Sequence, residues 1–332
     1  MITIKDVAKE AGVSTGTVSN VLNGKSGVKE ENINKVLEAI KKLDYNTNMI
    51  AKALRTKVSD SIGLIVPSIT NPYYPEFVRG VEDQADKEDL TVFICNSDRD
   101  KKKEIRYINS FMKKSVDGFI IMSPQLSSIE LNELKNARFV VIGIDENIDY
   151  KLNIVNASAT VATLQGMELL YSYRHNKIGF LTGIGDTFAD INKLKAYNYF
   201  IESKNIIKDE QYVYHGDYTW EAGYKGGKRL LALENPPTAI FAANDLMALG
   251  ALQAVRDLGK SVPKDISILG FDDIEMSRYS DPPLTTIKQP KYELGVEAVK
   301  MLIQVMNTDN HIEVMRKTLN TEIVIRESVS YE

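Results

Sequence analysis

Two groups of residues in this 332-residue chain have the types and spacing to do chemistry. The first is a run of small polar side chains, Ser14, Thr15, Gly16, Thr17, Ser19 and Asn20, at the start of a short helical stretch. Groups of this kind on a first helical turn can lie against the floor of a DNA groove while the helix-cap amides face a phosphate. The second group consists of polar residues that end apolar runs: Ser68, Asn96, Ser123, Asp145, Asp217, Asn244 and Asp272. In open α/β sheets, ligands bind outside the carboxyl ends of the strands, so this regularity points to one cleft. Bond-making chemistry finds no such support. His175, His215 and His311 are scattered without the spacing of a metal site. Cys95, the single cysteine, sits in an apolar run and reads as inert core. TGIGDT lacks the lysine of a phosphate loop, and GYKGGKR lacks both its spacing and its final Ser or Thr. There is no dinucleotide-binding glycine fingerprint after the first strand and no GxSxG elbow. The pair Asp272-Asp273 looks catalytic only in isolation. We therefore expect no catalytic residues, no cofactor and no metal.

The elements that must position these groups fall into three segments. Residues 1–45 read as three short helices. Thr3 and Asp6 form a capping pair, Val7, Ala8 and Ala11 share a face, and Gly12 stops the first helix. Ser14 is the N-cap of the second helix, TGTVSNVL. The third, about Lys29 to Leu43, puts Ile33, Val36, Leu37, Ile40 and Leu43 on one side. Helix, tight glycine turn and helix is the spacing of a helix-turn-helix, although an ordinary three-helix bundle has the same outline. Residues 46–60 are polar with one apolar cluster, Met49, Ile50, Ala53 and Leu54, too short to be helical alone. This segment reads as a hinge that becomes helical only when held.

From Ser61, apolar runs alternate with amphipathic stretches of helix length. SIGLIVPS, TVFICNS, DGFIIMSP and RFVVIGID are followed by KIGFLTG, QYVYHGD, TAIFAAND and DISILGFDD. The runs are rich in Val, Ile, Phe and Leu without strict alternation, as in parallel strands buried on both faces. Two sets of four imply two doubly wound parallel-sheet lobes. The chain thus divides into a helix-turn-helix head (1–45), a hinge (46–60) and a two-lobed body (61–332). One lobe takes about 61–160 plus 290–318, and the other about 161–289 plus 319–332.

Charge agrees with this division. The chain carries a net −4, but residues 1–60 are +3 and the remainder −7, as suits a nucleic-acid-binding head on an acidic body. No apolar run approaches the roughly 18 residues of a membrane span. No secretory leader opens the chain, so a cytoplasmic, nucleoid-associated protein is expected.

ITIKDVAKEAGVSTGTVSNVLNG, with a third helix and LDYNTNMIAKALR after it, resembles the head of the lactose/galactose/purine-repressor family of bacterial transcription regulators. FAANDLMALGAL, DISILGFDD and PPLTTIKQP are similar to that family's body motifs, in matching order. The resemblance covers nearly the whole chain. It implies a small all-α helix-turn-helix head on a periplasmic-binding-protein-like α/β body. It further implies a homodimer that binds palindromic double-stranded operator DNA under control of a small-molecule effector in the inter-lobe cleft.

The resemblance also assigns roles. Thr15, Gly16 and Asn20 would meet base edges, Ser14 and Thr17 phosphate or base, and Asn23, Tyr45 and Asn48 phosphates. Many relatives carry Arg at the position of Asn20, so direct readout should differ here. Leu54, with Ala51 beside it, would wedge into the minor groove. In the body, Tyr73, Tyr74, Asp145, Lys193, Tyr218, Asn244, Asp272 and Gln289 fall at effector-pocket positions. Lys193 stands where relatives carry Arg, keeping the charge without the planar fork. With Lys291 it suggests an acidic group on a hydroxyl-rich ligand. The expected function is repression of a carbohydrate-use operon. Alternatives are the same DNA-binding role under a protein corepressor, a solute-binding protein, and an enzyme on a doubly wound fold. The chain shows no heptads and reaches Glu332 soon after its last strand, so a dimer rather than a tetramer is expected.

An apolar wedge unstacks a base step and kinks the duplex. We expect Leu54→Ala to weaken operator binding and reduce DNA bending in a gel-shift and bending assay, with half-site base preference unchanged. Wild-type bending by Leu54→Ala would make Leu54 a linker residue only.

Overall fold

The structure, a computed structural model, describes all residues except 1, 23–26, 46–58, 115, 135–136, 144–150, 186, 205 and 308–313. The proposed hinge, with Asn48, Ala51 and Leu54, lies outside the described residues, as do Asn23, Asp145 and His311. The chain divides into two compact units, Met1–Ser59 and Asp60–Glu332.

The first unit holds α1 (Ile4–Ala11), α2 (Thr15–Leu22) and α3 (Glu30–Lys42). At the start of α1 the Asp6 carboxylate accepts from the Thr3 amide at 2.8 Å and the Thr3 hydroxyl at 2.7 Å. Aspartate therefore does here what Glu usually does in a capping box. Gly12 ends α1 at φ 64°, a conformation glycine adopts without a Cβ penalty. Val7, Ala8 and Ala11 of α1 meet Val18 of α2 and Val36 and Ala39 of α3 in a small shared core. One expectation fails: Leu37 is 53% exposed, and Ala39 takes the core place instead. At 100° per residue, 36, 39, 40 and 43 line one face, and Leu37 points away from it.

The second unit is built on two six-stranded sheets. The first has the order β11-β5-β4-β3-β1-β2, all parallel. Its strands are β1 (Ser61–Val66), β2 (Thr91–Asn96), β3 (Gly118–Met122), β4 (Phe139–Ile142), β5 (Ile154–Ala157) and β11 (Arg316–Leu319). The second has the order β12-β10-β9-β8-β6-β7, parallel except for the antiparallel β10–β12 pair. It is made of β6 (Ile178–Thr182), β7 (Val213–His215), β8 (Ala239–Ala242), β9 (Ser267–Asp272), β10 (Thr285–Lys288) and β12 (Glu322–Val324).

The helices of the first lobe are α4 (Tyr73–Asp86), α5 (Lys101–Lys114) and α6 (Ser128–Glu133). In the second lobe they are α7 (Ala159–Ser172), α8 (Phe188–Ser203), α9 (Trp220–Leu231), α10 (Asp245–Asp257) and the short α11 (Met276–Tyr279). Last, α12 (Lys291–Asn307) returns to the first lobe, where Leu294, Ala298, Val299 and Leu302 join the core around Ile62, Leu64 and Ile120. The chain therefore passes between lobes after β5, after β10 and between β11 and β12. The backbones of α4 and α12 come close enough that a Cβ on Gly80 would strike the Tyr292 carbonyl and one on Gly295 the Phe77 carbonyl. Glycine here serves close approach, not a turn.

Two further expectations need correction. Runs in both lobes do form parallel strands, and β1, β3, β4, β8 and β9 are buried along their length. β2 is not: it is an edge strand, with Phe93 52% and Ile94 40% exposed. Cys95 within it is half-buried, packed against the core that holds Ile108 and Phe111 rather than enclosed in it. Composition alone did not separate an apolar edge strand from a central one. The sequence reading also missed β5, β10 and β11, which at four residues each are too short to show a period.

Candidate functional site: a DNA-facing helix and an inter-lobe cleft

In the head, the Thr17 amide donates to Ser14 Oγ at 3.0 Å, so Ser14 is the N-cap of α2. Ser14 Oγ and Thr17 Oγ1 also share a hydrogen bond of 2.9 Å. Val18 is fully buried, which orients α2 and leaves Thr15, Gly16 and Asn20 exposed on one outward face. Gly16 presents bare backbone there and weakens the helix by about 1 kcal/mol relative to Ala. Tyr45 is half-buried against the head core, beyond the end of α3.

In the body, a cleft of about 880 Å³, counted to its open mouth, lies between the two sheets. Its wall takes Ser123 and Gly143 from the ends of β3 and β4, Asn156 from β5, and Phe271 and Asp272 from the end of β9. The carboxyl ends of the strands thus meet at the cleft, as the doubly wound topology requires. Of the sequence-derived effector residues, the structure brings together Tyr73, Tyr74, Lys193, Tyr218, Asp272 and Gln289 along this wall. Asn244 is 2% exposed and outside the lining. Its Oδ1 accepts from the Met247 amide at 3.0 Å, capping α10, and its Nδ2 donates to the Tyr218 carbonyl at 3.0 Å. It places Tyr218 from behind.

A chain of hydrogen bonds runs across the lobes. Tyr73 Oη donates to Gln289 Oε1 at 3.3 Å, and Gln289 Nε2 donates to Asp272 Oδ1 at 2.8 Å. Lys291 continues it: its Nζ donates to the carbonyls of Asp272 at 2.6 Å and Asp273 at 3.0 Å, and pairs with Glu76 at 3.2 Å. Lys291 is 2% exposed and is not on the cleft wall. The expectation that it meets an acidic group of the ligand is therefore corrected: its hydrogens are spent on the protein. Lys193 is placed differently. It lines the cleft, donates to the Ala243 carbonyl at 2.7 Å, and lies 3.9 Å above the Phe271 ring and 5.6 Å from that of Tyr218. Burial lowers its pKa, partly countered by Asp272 and Asp190. Burial pushes Asp272 up to about 6, against the pull of Lys193, Lys291, the Gln289 amide and Arg99. Tyr74 is pushed up to about 12 by burial.

Sequence reasoning missed Arg99, Asn71, Asn156, Asn192 and the supporting Asp190. Arg99 lies over the Tyr218 ring, 4.5 Å from its centroid. Tyr218 in turn donates its hydroxyl to Asp190. Asp190 also accepts from the Gly185 amide at 3.3 Å, so its own carboxylate occupies the TGIGDT turn where a phosphate loop would hold its anion. Arg99 had one available signal, its position just past a strand end. Asn156 had none, because β5 was not recognised. Four residues of the wall hold positive φ without being glycine: Ser123 at 48°, Arg99 at 56°, Tyr218 at 69° and Asp272 at 116°. Such backbone costs on the order of 1–3 kcal/mol each and persists where surrounding structure over-determines it, commonly at ligand sites.

Comparison with known proteins agrees with this geometry. Residues 3–48 match the lacI family of bacterial regulatory proteins, and residues 167–329 match a periplasmic binding protein-like domain. The repressor PurR of Mannheimia succiniciproducens is 37% identical, covering 99% of each chain. Catabolite control protein A of Priestia megaterium is 34% identical over 93% of each. The chain belongs to the lacI family. The lac repressor dimer bound to operator and the anti-inducer ONPF superposes with a TM-score of 0.90, at 28% identity and 99% coverage of both chains. As a lacI-family member the chain is a ligand-responsive, DNA-binding transcriptional repressor with a helix-turn-helix head and a two-lobed effector-binding body. Among the described residues no His, Cys, Asp and Glu group could hold a metal, and no described helix is long and apolar enough to cross a membrane.

The cleft makes an ordered claim about charge. Lys193 is the largest charge holding Asp272 down, with Lys291 next. We expect Lys193→Met to raise the Asp272 pKa above about 6, and Lys291→Met to raise it by less. Carboxyl carbon NMR titration reads both. The reverse order would mean that Lys291, not Lys193, sets the charge of the cleft.

Proposed function

We propose that this lacI-family repressor controls a carbohydrate-use operon. It binds a palindromic operator as a homodimer in the cytoplasm, on the nucleoid, and releases or grips it in response to a hydroxyl-rich metabolite in the cleft. The observation that carries the effector reading is the composition of the cleft wall. Tyr73, Tyr74 and Tyr218 offer ring faces to the apolar side of a sugar, while Asp272, Gln289 and Asn156 exchange hydrogen bonds with hydroxyls. The catabolite control and lac repressor relatives support a carbohydrate role. A sugar, a sugar acid and a sugar phosphate all fit this description.

In the head, Thr15, Gly16 and Asn20 are the base-reading residues, Ser14 and Thr17 hold α2 to phosphate or base, and Tyr45 meets phosphate. Asn23, Asn48, Ala51 and Leu54 keep the roles the resemblance gives them, as Asp145 does in the cleft. With Asn at position 20 and no side chain at 16, the half-site should be read by short polar contacts and shape. Effector and operator are linked reciprocally. A ligand that weakens DNA binding is itself bound less tightly by the DNA complex, by the same factor.

Exposed apolar groups support the dimer. They lie on the β2 edge with α5 (Phe93, Ile94, Ile105 and Met112) and on the second lobe (Trp220, Met276 and Tyr279, the last 77% exposed). Trp220, Met276 and Tyr279 lie around one surface depression, a place a partner subunit could cover. Sedimentation at micromolar concentration should give a dimer, and a stable tetramer would refute the assignment.

The function is tested by separating the two units. A fragment beginning at Ser61 should keep effector binding and lose operator binding. For the full chain, log K against log salt should fall with a slope of about −0.9 per neutralised phosphate. Specific operator binding by the fragment would overturn the role given to α2.

A further inference from the structure

Among the described residues, the charges on the cleft wall do not cancel. Three charged side chains among the described residues line it: Arg99, Lys193 and Asp272. Asp190 lies behind the wall, occupied by the Tyr218 hydroxyl and the Gly185 amide. Lys193 and Asp272 offset each other, each being the strongest charge acting on the other. Lys193 is also held by the Ala243 carbonyl and the face of Phe271. Arg99 acts on Asp272 too, but more weakly than either lysine does. It makes no ion pair among the described residues, and its contacts are the Tyr218 ring and the Tyr74 side chain. Both partners are neutral, since burial drives each phenol upward in pKa. Neither uses the bidentate fork of a guanidinium, which matches a carboxylate or phosphate.

Its placement is built, not incidental. Asp98 and Arg99 both adopt left-handed backbone, at φ 53° and 56°, directly after β2. This turn carries the guanidinium from the first lobe to the ring of Tyr218, a second-lobe residue whose own φ is 69°. Behind that ring, Asn244 and Asp190 fix Tyr218 through its carbonyl and its hydroxyl. A cation is thus held half-buried at the cleft with no ion pair among the described residues.

We propose that Arg99 is the specificity-determining residue of the effector site and that the effector is an acidic polyol, whose carboxylate or phosphate it binds. The proposal rests on the reading of the cleft as a polyol site and narrows it. Lys193 then serves chiefly to balance Asp272, and the anion is engaged from the first lobe. Bridging by such a ligand would tie the Arg99 turn to the second lobe more firmly than the ring contact does alone.

Calorimetry on the full chain tests this with matched probes: D-glucose, D-gluconate and D-glucose 6-phosphate, and D-ribose with D-ribose 5-phosphate. Wild type should bind one acidic member at least about ten-fold more tightly than its neutral counterpart, as expected for a charge-assisted pair. The gluconate and phosphate arms separate a sugar acid from a sugar phosphate. In Arg99→Gln that ratio should fall to within about two-fold, and Arg99→Lys should restore part of it. A purely structural role for Arg99 would weaken neutral and acidic members equally and leave the ratio intact. Equal binding of neutral and acidic members by wild type overturns the Arg99 assignment while leaving the polyol reading standing. So does an acid preference that survives Arg99→Gln and is lost in Lys193→Met. If no member binds wild type, the polyol reading fails and the proposal falls with it.

Discussion

Lys291 carries a charge into the protein where water cannot reach it. Its ammonium is 2% exposed, and desolvating it would cost several kcal/mol without full compensation. The compensation spans both lobes. The lysine belongs to α12, packed on the first sheet, and it donates to the carbonyls of Asp272 and Asp273 at the end of β9 in the second. Glu76 of α4 closes the set. Those two carbonyls are available because Asp272 and Asp273 take positive φ, which turns the backbone toward α12. Arg326, bonded to Asp273 and to the Leu284 carbonyl, holds the same turn from the opposite side. A buried cation and a strained two-residue turn therefore hold each other in place.

Much of the cleft follows from that arrangement. With the β9 end fixed, the Asp272 carboxylate faces the cleft and meets Gln289, which in turn meets Tyr73 of the first lobe. Lys193 reaches the same region from α8, anchored by the Ala243 carbonyl. Burial raises Asp272, and the two lysines restrain the rise. The Asp272 carboxyl is thus held well above the ordinary carboxylate range. The positive φ values of Ser123, Arg99, Tyr218 and Asp272 belong to the same design. Strain is tolerated where it aims side chains at one space.

The head uses opposite means. A six-residue apolar core and two helix-start hydrogen-bond sets present α2. Presentation is what groove recognition requires, because the specific contacts come from exposed side chains on a rigid helix. The body must instead hold a concave site whose two walls belong to different sheets. Its interactions are accordingly longer in sequence: Tyr73 to Gln289 spans 216 residues.

That difference in range separates what was legible in the sequence from what was not. The helices of the head, their caps, and the buried positions Val7, Ala8, Ala11 and Val36 follow from neighbours within four residues, and a linear reading finds them. The alternating strand and helix pattern of the body is likewise local, and polar residues at strand ends locate the cleft because parallel strands all point the same way. Leu37, β2 and Cys95 were misread because exposure depends on which elements pack alongside, and composition carries no information about an edge. Lys193 and Lys291 looked alike as cations beside a cleft. Only the tertiary structure showed one on the wall and the other consumed by two carbonyls and a glutamate. Arg99 offered only its position just past a strand end. Its role depends on Tyr218, 119 positions along the chain, which only the fold brings beneath it. The sequence by itself determined the helices of the head and the longer apolar strands of the body, since these rest on short-range sterics and hydrogen bonding. The pairing of charges was decided by the fold, because Coulomb energy depends on separation and burial, neither of which is written in residue order.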